Sequence, residues 1–418
     1  MTELQEGQNP KSDASKAGEG VAPKALDGVK DAPGQALANK LDSVSLAAAS
    51  TNLITEPAPL VNSPVLIIGA GLLGASIGLA LTRAGVQVWL EDSSPTGLEL
   101  ACDLGAGQPL SAQPAPAPAL VVVATPPDVA GDVVVHALRN YPGAVVTDVA
   151  SVKEPIAKRV LERVPNLAQR YVGSHPMAGR ERSGAASARA DLFDARPWVL
   201  VATPATSPNA LSAVRQLAID LGALPTQLGA AEHDRAVALI SHTPQLVASA
   251  LAARLEQAPE VALNLAGQGL RDTTRIAASD PRLWAAILNA NRSSVAQVLR
   301  ELRVDIDALI EALEQGRASV GTVVDVMQRG NLGRDRIPGK HGGAPSRYAE
   351  VMVLIPDAPG QLARLFNDVG AAQVNIEDLV IEHSAGQRQG LATLLVAPAA
   401  AVGLRQALEQ QGWKIVAN

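Results

Sequence analysis

Val65-Leu66-Ile67-Ile68-Gly69-Ala70-Gly71-Leu72-Leu73-Gly74 decides how this chain is read. Four consecutive apolar residues run into three glycines, and residues 75–84 follow with helical character. An apolar run without period-two alternation is buried on both faces, as strands of a parallel sheet are. In such a turn the first glycine permits the tight reversal. The second lets backbone approach a bound group, and the third lets helix and strand pack closely. Further strands are expected at residues 86–90, 119–123 and 144–146, and at 198–201 after the Arg196-Pro197 break. This alternation predicts an α/β fold, a Rossmann-type doubly wound parallel sheet.

Working outward, the 418 residues divide into unequal parts. Residues 1–60 hold no Phe, Trp or Tyr and read as a disordered tail. The Rossmann domain is assigned to 61–228. Residues 229–327 carry long helical patterns. In one of them Val295, Val298, Leu299, Leu302, Ile306, Leu309, Ile310 and Leu313 share a face. An all-helical domain follows from this. Residues 328–346, rich in Gly, Arg and Pro, read as a linker. Residues 347–418 return to a β-α-β pattern, with strands at 350–355, 374–382 and 391–396 and helices at 360–370 and 399–411.

Composition narrows the function. A net charge of −6 argues against a nucleic-acid surface or an anionic membrane partner. One cysteine, Cys102, leaves no internal disulfide and no thiolate zinc cluster, and no metal is expected. No run approaches 18 uninterrupted apolar residues and no leader pattern opens the chain, so a cytoplasmic protein without a membrane span is expected.

The glycine turn between strand and helix is a phosphate cradle. The backbone of Gly69, Gly71, Leu72, Leu73 and Gly74 faces a pyrophosphate, and the helix N-terminus favours its charge. Asp92, or Glu91 before it, ends the second strand. A carboxylate there accepts from an adenosine ribose and repels a 2′-phosphate, which favours NAD over NADP. Thr125, after the next strand, is counted among the cofactor contacts. Residues 147–153 (Thr-Asp-Val-Ala-Ser-Val-Lys) follow another strand at the carboxyl edge of the sheet. Then His175 stands before Pro176 in a glycine-bounded loop. A loop histidine alone is most often plain surface. Beside a dinucleotide it suggests a base that removes a hydroxyl proton while hydride leaves the same carbon.

Several ordered blocks carry a resemblance: residues 69–81, 148–153, 173–184 (GSHPMAGRERSG), Glu232-His233-Asp234, Ser241-His242-Thr243-Pro244, and 269–284 (GLRDTTRIAASDPRLW). Over residues 64–315 the chain resembles the prephenate/arogenate dehydrogenase family of tyrosine biosynthesis. The resemblance implies NAD-dependent oxidative decarboxylation of prephenate or of arogenate, in a homodimer. It implies that His175 accepts the proton of the 4-hydroxyl and that Ser151 orients His175. It further implies that Arg275 binds the ring carboxylate with Glu181 beside it. Read from the residues alone, Arg275 could instead pair with Asp272 on a helix surface. His233 and His242 are candidate pocket residues, with a helix-start pair and a core histidine as the plainer readings. Gln245 stands where many family members carry a second histidine, which leaves the choice between prephenate and arogenate open. The C-terminal segment resembles an ACT domain through Asp357-x-Pro359-Gly360 and Val374-Asn375-Ile376. That implies a tyrosine effector near Asp357, Gly360 and Asn375, against the alternative of a packing module. Two other classes fit these residues less well. A β-hydroxyacid dehydrogenase needs a lysine in the helical region, and none lies between Lys158 and Lys340. A non-catalytic amino-acid sensor has no use for Ser151, His175 and Arg275 together.

Overall fold

The computed structural model describes residues 58–110, 117–179, 184–338, 348–383 and 389–416. The 1–60 tail lies almost wholly outside these residues, and so does Glu181. The first layer is an eight-stranded sheet. Its strands are β1 (Val65–Ile68), β2 (Val88–Glu91), β3 (Gln108–Pro109), β4 (Leu120–Val123), β5 (Val145–Asp148), β6 (Tyr171–Pro176), β7 (Pro197–Val201) and β8 (Leu224–Gln227). They lie in the order β3-β2-β1-β4-β5-β6-β7-β8, all pairs parallel except β6 with β7. The helices that alternate with them are α1 (Leu72–Arg83), α2 (Pro95–Asp103), α3 (Pro127–Asn140), α4 (Glu154–Arg163) and α5 (Pro208–Asp220).

Strand pleating explains the unbroken apolar runs. Val65 and Ile67, with Leu120 and Val122, face a core shared with Ala75, Ile77 and Leu81 of α1 and Val214 and Leu217 of α5. Leu66 and Ile68, with Val121 and Val123, face the opposite core, filled by Val134 and Leu138 of α3 and Ile156 and Val160 of α4. Both faces of β1 and β4 are therefore dry.

The helical region contains α6 (Ala230–Val237), a π-helical turn (Ala238–His242), α7 (Thr243–Ala253), α8 (Glu260–Asn264), α9 (Gln268–Thr274), α10 (Pro281–Ala290), α11 (Arg292–Gln315) and α12 (Val320–Arg334). α12 carries the helical region past the expected linker start at residue 328. Its interior glycines, Gly330 and Gly333, have open space where a side chain would project, so they mark no turn. By length and composition, residues 230–253 form a helix apolar enough to cross a membrane, but buried His233, Asp234 and His242 lie within it. Along α11, Ile306, Ile310 and Leu313 are exposed, as are Val324 and Met327 of α12.

The C-terminal layer is a separate antiparallel sheet of β9 (Ala349–Pro356), β10 (Ile376–His383), β11 (Gln389–Val396) and β12 (Lys414–Val416), in the order β10-β11-β9-β12. With α13 (Gln361–Ala371) and α14 (Pro398–Gln410) it forms a split β-α-β unit. Alternate residues Val351, Val353 and Ile355 pack beneath Leu365, Leu404 and Leu408. Gly360 takes φ +84° at the start of α13, where a side chain would be strained.

Two of the three glycines of the β1–α1 turn make opposite demands. A Cβ on Gly74 would lie 1.8 Å from the Gly69 carbonyl oxygen, whereas one on Gly71 meets nothing within 4 Å. Gly74→Ala should therefore lose about 1–3 kcal/mol in urea denaturation, and Gly71→Ala should keep the wild-type midpoint. Equal midpoints for the two variants would contradict this packing.

Candidate active site

The loops leaving the carboxyl ends of β1, β4, β5 and β6 share one edge of the sheet, where strand order reverses between β1 and β4. At that reversal Asp92 lies against the glycine turn. Its Oδ2 accepts from the Ala70 N–H at 2.6 Å and its Oδ1 from the Ser94 N–H at 2.7 Å. Glu91 is exposed and contributes only its carbonyl, which accepts from the Gly69 N–H at 2.7 Å. α1 begins at Leu72 and Leu73 with no side chain capping its first turn. Thr125 Oγ1 is buried without a hydrogen-bond partner among the described residues. An uncapped helix start, open space before Gly71 and an orphaned hydroxyl at the same strand edge fit the pyrophosphate of a dinucleotide.

His175 lies on β6, opposite Val199 of β7, and not in the glycine-bounded loop expected from the sequence. The glycine that suggested a loop serves close packing instead. A Cβ on Gly173 would stand 3.0 Å from the Tyr171 hydroxyl and 3.2 Å from Lys153 Cδ. Beneath it is a buried polar cluster. Lys153 Nζ pairs with Asp148 Oδ1, and Asp148 Oδ2 accepts from the Tyr171 hydroxyl at 2.8 Å. Burial pulls the Lys153 ammonium down, with Asp148 opposing that shift, and burial drives the Tyr171 phenol well above its usual range.

His175 Nδ1 lies 2.8 Å from His233 Nε2, with the rings edge to face. His233 Nδ1 lies 2.7 Å from Asp234 Oδ1. These two contacts fix the proton positions. An ionised carboxylate only accepts, so His233 Nδ1 carries the proton and its Nε2 accepts. His175 Nδ1 must then donate, which leaves the Nε2 of a neutral His175 as a bare lone pair. Burial holds the His175 imidazole well below its usual range, and His233, Lys153 and His242 press in the same direction. The ring is therefore neutral at pH 7.

Asp234 reaches across the fold. Its Oδ1 also accepts from the Lys153 N–H at 2.8 Å, and its Oδ2 from the Glu154 N–H at 2.9 Å. It thereby caps α4, whose own N-terminus has no capping side chain. Behind it, Asn291 Nδ2 donates to the Asp234 carbonyl at 2.7 Å and lies 3.2 Å from His242 Nδ1. An amide nitrogen donates, so His242 Nδ1 accepts and its proton sits on Nε2. His242 is buried and pushed down to about 4, desolvation outweighing the opposing pull of Asp234. The π turn that carries it is an insertion often found where function requires one.

The structure brings His175, His233 and His242 together with Asp234. Gln245 is buried on α7, its amide between Ser249 Oγ (3.4 Å) and Ser279 Oγ (3.5 Å). Arg275 is exposed at the head of a short turn, Arg275–Ala277, that packs against α7. Asp272, one turn before it, accepts from Gln268 Nε2 at 2.7 Å. Among the described residues no hydrogen bond joins the Ser151 hydroxyl to His175, whose Nδ1 faces His233. Asp357 and Gly360 are exposed between β9 and α13, and Asn375, just before β10, bonds Glu377 at 2.8 Å. Sequence reading missed Asn291, which nothing in its neighbourhood marks. It also passed over Asp234 and Lys153, quoted within motifs but given no role.

A dinucleotide cradle and a neutral histidine on one sheet edge define a dehydrogenase. The comparisons give its family. Residues 77–225 match the family model "Prephenate dehydrogenase, nucleotide-binding domain", and residues 229–329 match "Prephenate dehydrogenase, dimerization domain". The chain belongs to the prephenate dehydrogenase family. It is 36% identical to "Probable prephenate dehydrogenase NovF" of Streptomyces niveus, over 83% of this chain and 98% of that protein. Among solved structures it is similar to Aquifex aeolicus prephenate dehydrogenase in complex with hydroxyphenyl propionate and NAD+ (TM-score 0.58, 27% identity, 65% of this chain and 99% of that one). It is also similar to Synechocystis arogenate dehydrogenase (TM-score 0.54, 28% identity, 65% and 99%).

A histidine buried neutral weakens the fold in acid. The unfolded ring takes up a proton near pH 6.5 and the folded His242 only near 4, so stability is present above that window and is lost as pH falls through it. Between pH 7 and 4 the loss from this ring is up to about 3 kcal/mol. His175 adds to it in the same direction. Urea denaturation at pH 7 and pH 4.5 should show the loss, and His242→Gln should reduce the difference. Equal stability at both pH values would count against a neutral buried His242.

Proposed function

We propose that the chain catalyses NAD-dependent oxidative decarboxylation of prephenate to 4-hydroxyphenylpyruvate, as a cytoplasmic homodimer. The observation that carries this reading is the bare Nε2 of His175, fixed by the hydrogen bonds of His233 and Asp234, on the same sheet edge as the glycine cradle. Bound NAD supplies a hydride acceptor. Gly69, Gly71, Gly74 and the N–H groups of Leu72 and Leu73 hold its pyrophosphate, and Thr125 offers a hydroxyl. Asp92 takes the ribose, and no arginine or lysine lies between Glu91 and Leu100 to receive a 2′-phosphate.

His175 accepts the 4-hydroxyl proton as the hydride leaves the same ring carbon. The C–C bond to the ring carboxylate then breaks, carbon dioxide departs, and the electron pair makes the ring aromatic. The reaction releases no net proton, because loss of hydride and of carbon dioxide leaves the phenol with its hydrogen. The proton taken by His175 therefore returns to the phenolate oxygen. Arg275 pairs with the ring carboxylate, with Glu181 beside it, and Ser151 lies on the nicotinamide side. The neutral His242 presents an N–H donor, and Gln245 meets the far side chain.

Gln245 also supports the second reading, arogenate as substrate, because a neutral amide can accept from an ammonium as readily as it donates to a carboxylate. Exposed Ile306, Ile310, Leu313, Val324 and Met327 in the region matching the dimerization model supply an apolar subunit interface. The C-terminal β-α-β unit is read as an ACT-like regulatory domain that takes a tyrosine effector near Asp357, Gly360 and Asn375.

Prephenate and arogenate, each offered with NAD and with NADP, should give reduced cofactor fastest with prephenate and NAD. No reduction in any combination would overturn the proposal. His175→Asn should lower kcat by at least about 10²-fold while NAD affinity, read by fluorescence titration, stays near wild type. Deleting residues 346–418 should abolish inhibition by tyrosine, and undiminished inhibition would remove the regulatory role.

A further inference from the structure

The hydrogen bonds behind His175 offer more than orientation. We infer that His233 and Asp234 form a proton relay. As His175 Nε2 takes the substrate proton, the Nδ1 proton of His175 passes to His233 Nε2, and the positive charge rests on His233 against the Asp234 carboxylate. The transfer reverses when the phenolate forms. On His175 one N–H bond forms and one breaks, so that ring stays neutral and only its tautomer changes; on His233 one N–H bond forms and none breaks, so that ring becomes the imidazolium. This inference rests on the oxidation proposed above.

The geometry supports it at each link. The donor–acceptor distances are 2.8 Å between the rings and 2.7 Å from His233 to Asp234, both short enough for direct transfer. His175 is a poor resting place for charge. It faces the Lys153 ammonium, which precedes α4 and is paired to Asp148 of β5. His242 of the π turn acts against a charge there as well. No carboxylate touches the His175 ring among the described residues. His233 is the ring in contact with one. Asp234 cannot swing away, because both oxygens are held by the backbone of Lys153 and Glu154. His233 is 1% exposed and Asp234 2%. A proton parked there has no direct route to bulk water, as suits one that must return to the product.

Two measurements test the relay. The first needs no substrate. Ring-nitrogen chemical shifts are followed on acidification in ligand-free protein carrying 15N-histidine, with assignments from His175→Asn and His233→Gln. At neutral pH both rings should carry their proton on Nδ1. The first proton taken up should convert His175 to its neutral Nε2–H form and His233 to imidazolium. Imidazolium on His175 beside a neutral His233 would overturn the relay. The second measurement is kinetic. Glutamine at 233 can accept from His175 Nδ1 but cannot take up its proton, and it leaves Asp234 in place as the cap of α4. His233→Gln should lower kcat by about 10²-fold with KM for substrate and NAD nearly unchanged. It should also move the acid limb of the kcat/KM profile, because the site that shared the proton is gone. Wild-type kcat with an unmoved limb would overturn the relay. If the protein oxidises neither prephenate nor arogenate, the proposed function fails and the ring titration still decides the relay.

Discussion

The carboxylate of Asp234 is the constraint on which the site depends. It is buried, and a buried carboxylate is costly unless its lone pairs are occupied. Here two backbone N–H groups from the start of α4 and one imidazole N–H occupy them. Each partner settles something different. Lys153 and Glu154 fix where the first helix of the helical region sits against the Rossmann sheet. His233 fixes which nitrogen of His175 is free. The Asp234 carbonyl, held by Asn291, fixes α6 against the α10–α11 junction and sets the His242 proton as well. Fold and proton inventory are thus joined through one residue.

The two pocket histidines show how neighbours, and not residue type, assign chemistry. Both are held neutral by burial. His175 has its Nδ1 facing an acceptor and so exposes a lone pair. His242 has its Nδ1 facing a donor and so keeps its hydrogen on Nε2. An acceptor and a donor of hydrogen bonds are made from the same side chain, without any net charge being placed in the pocket.

The sheet was legible because its signal is local. Val65–Ile68 and Leu120–Val123 are apolar without interruption, and glycines or prolines bound them. The Rossmann class and the dehydrogenase family follow from that signal and the motif blocks. Element ends were harder to place. Pro and Gly around His175 suggested a loop, although Gly173 is required by side-chain crowding and Pro176 closes a strand at its last position. Polar strands such as Leu224–Gln227 carry little apolar signal. The relay could not be seen in the sequence, because His175 and His233 lie 58 residues apart and meet only through tertiary packing. Asn291 is a lone amide between two helices, and only its two partners give it meaning.

The cap that Asp234 places on α4 grips main chain, not side chain. At that joint, residue 154 can drift through generations without loosening the grip, since every amino acid except proline brings the same N–H. The burden of heredity falls on the aspartate alone. The two halves of the molecule are therefore set in register by one side chain and two peptide groups.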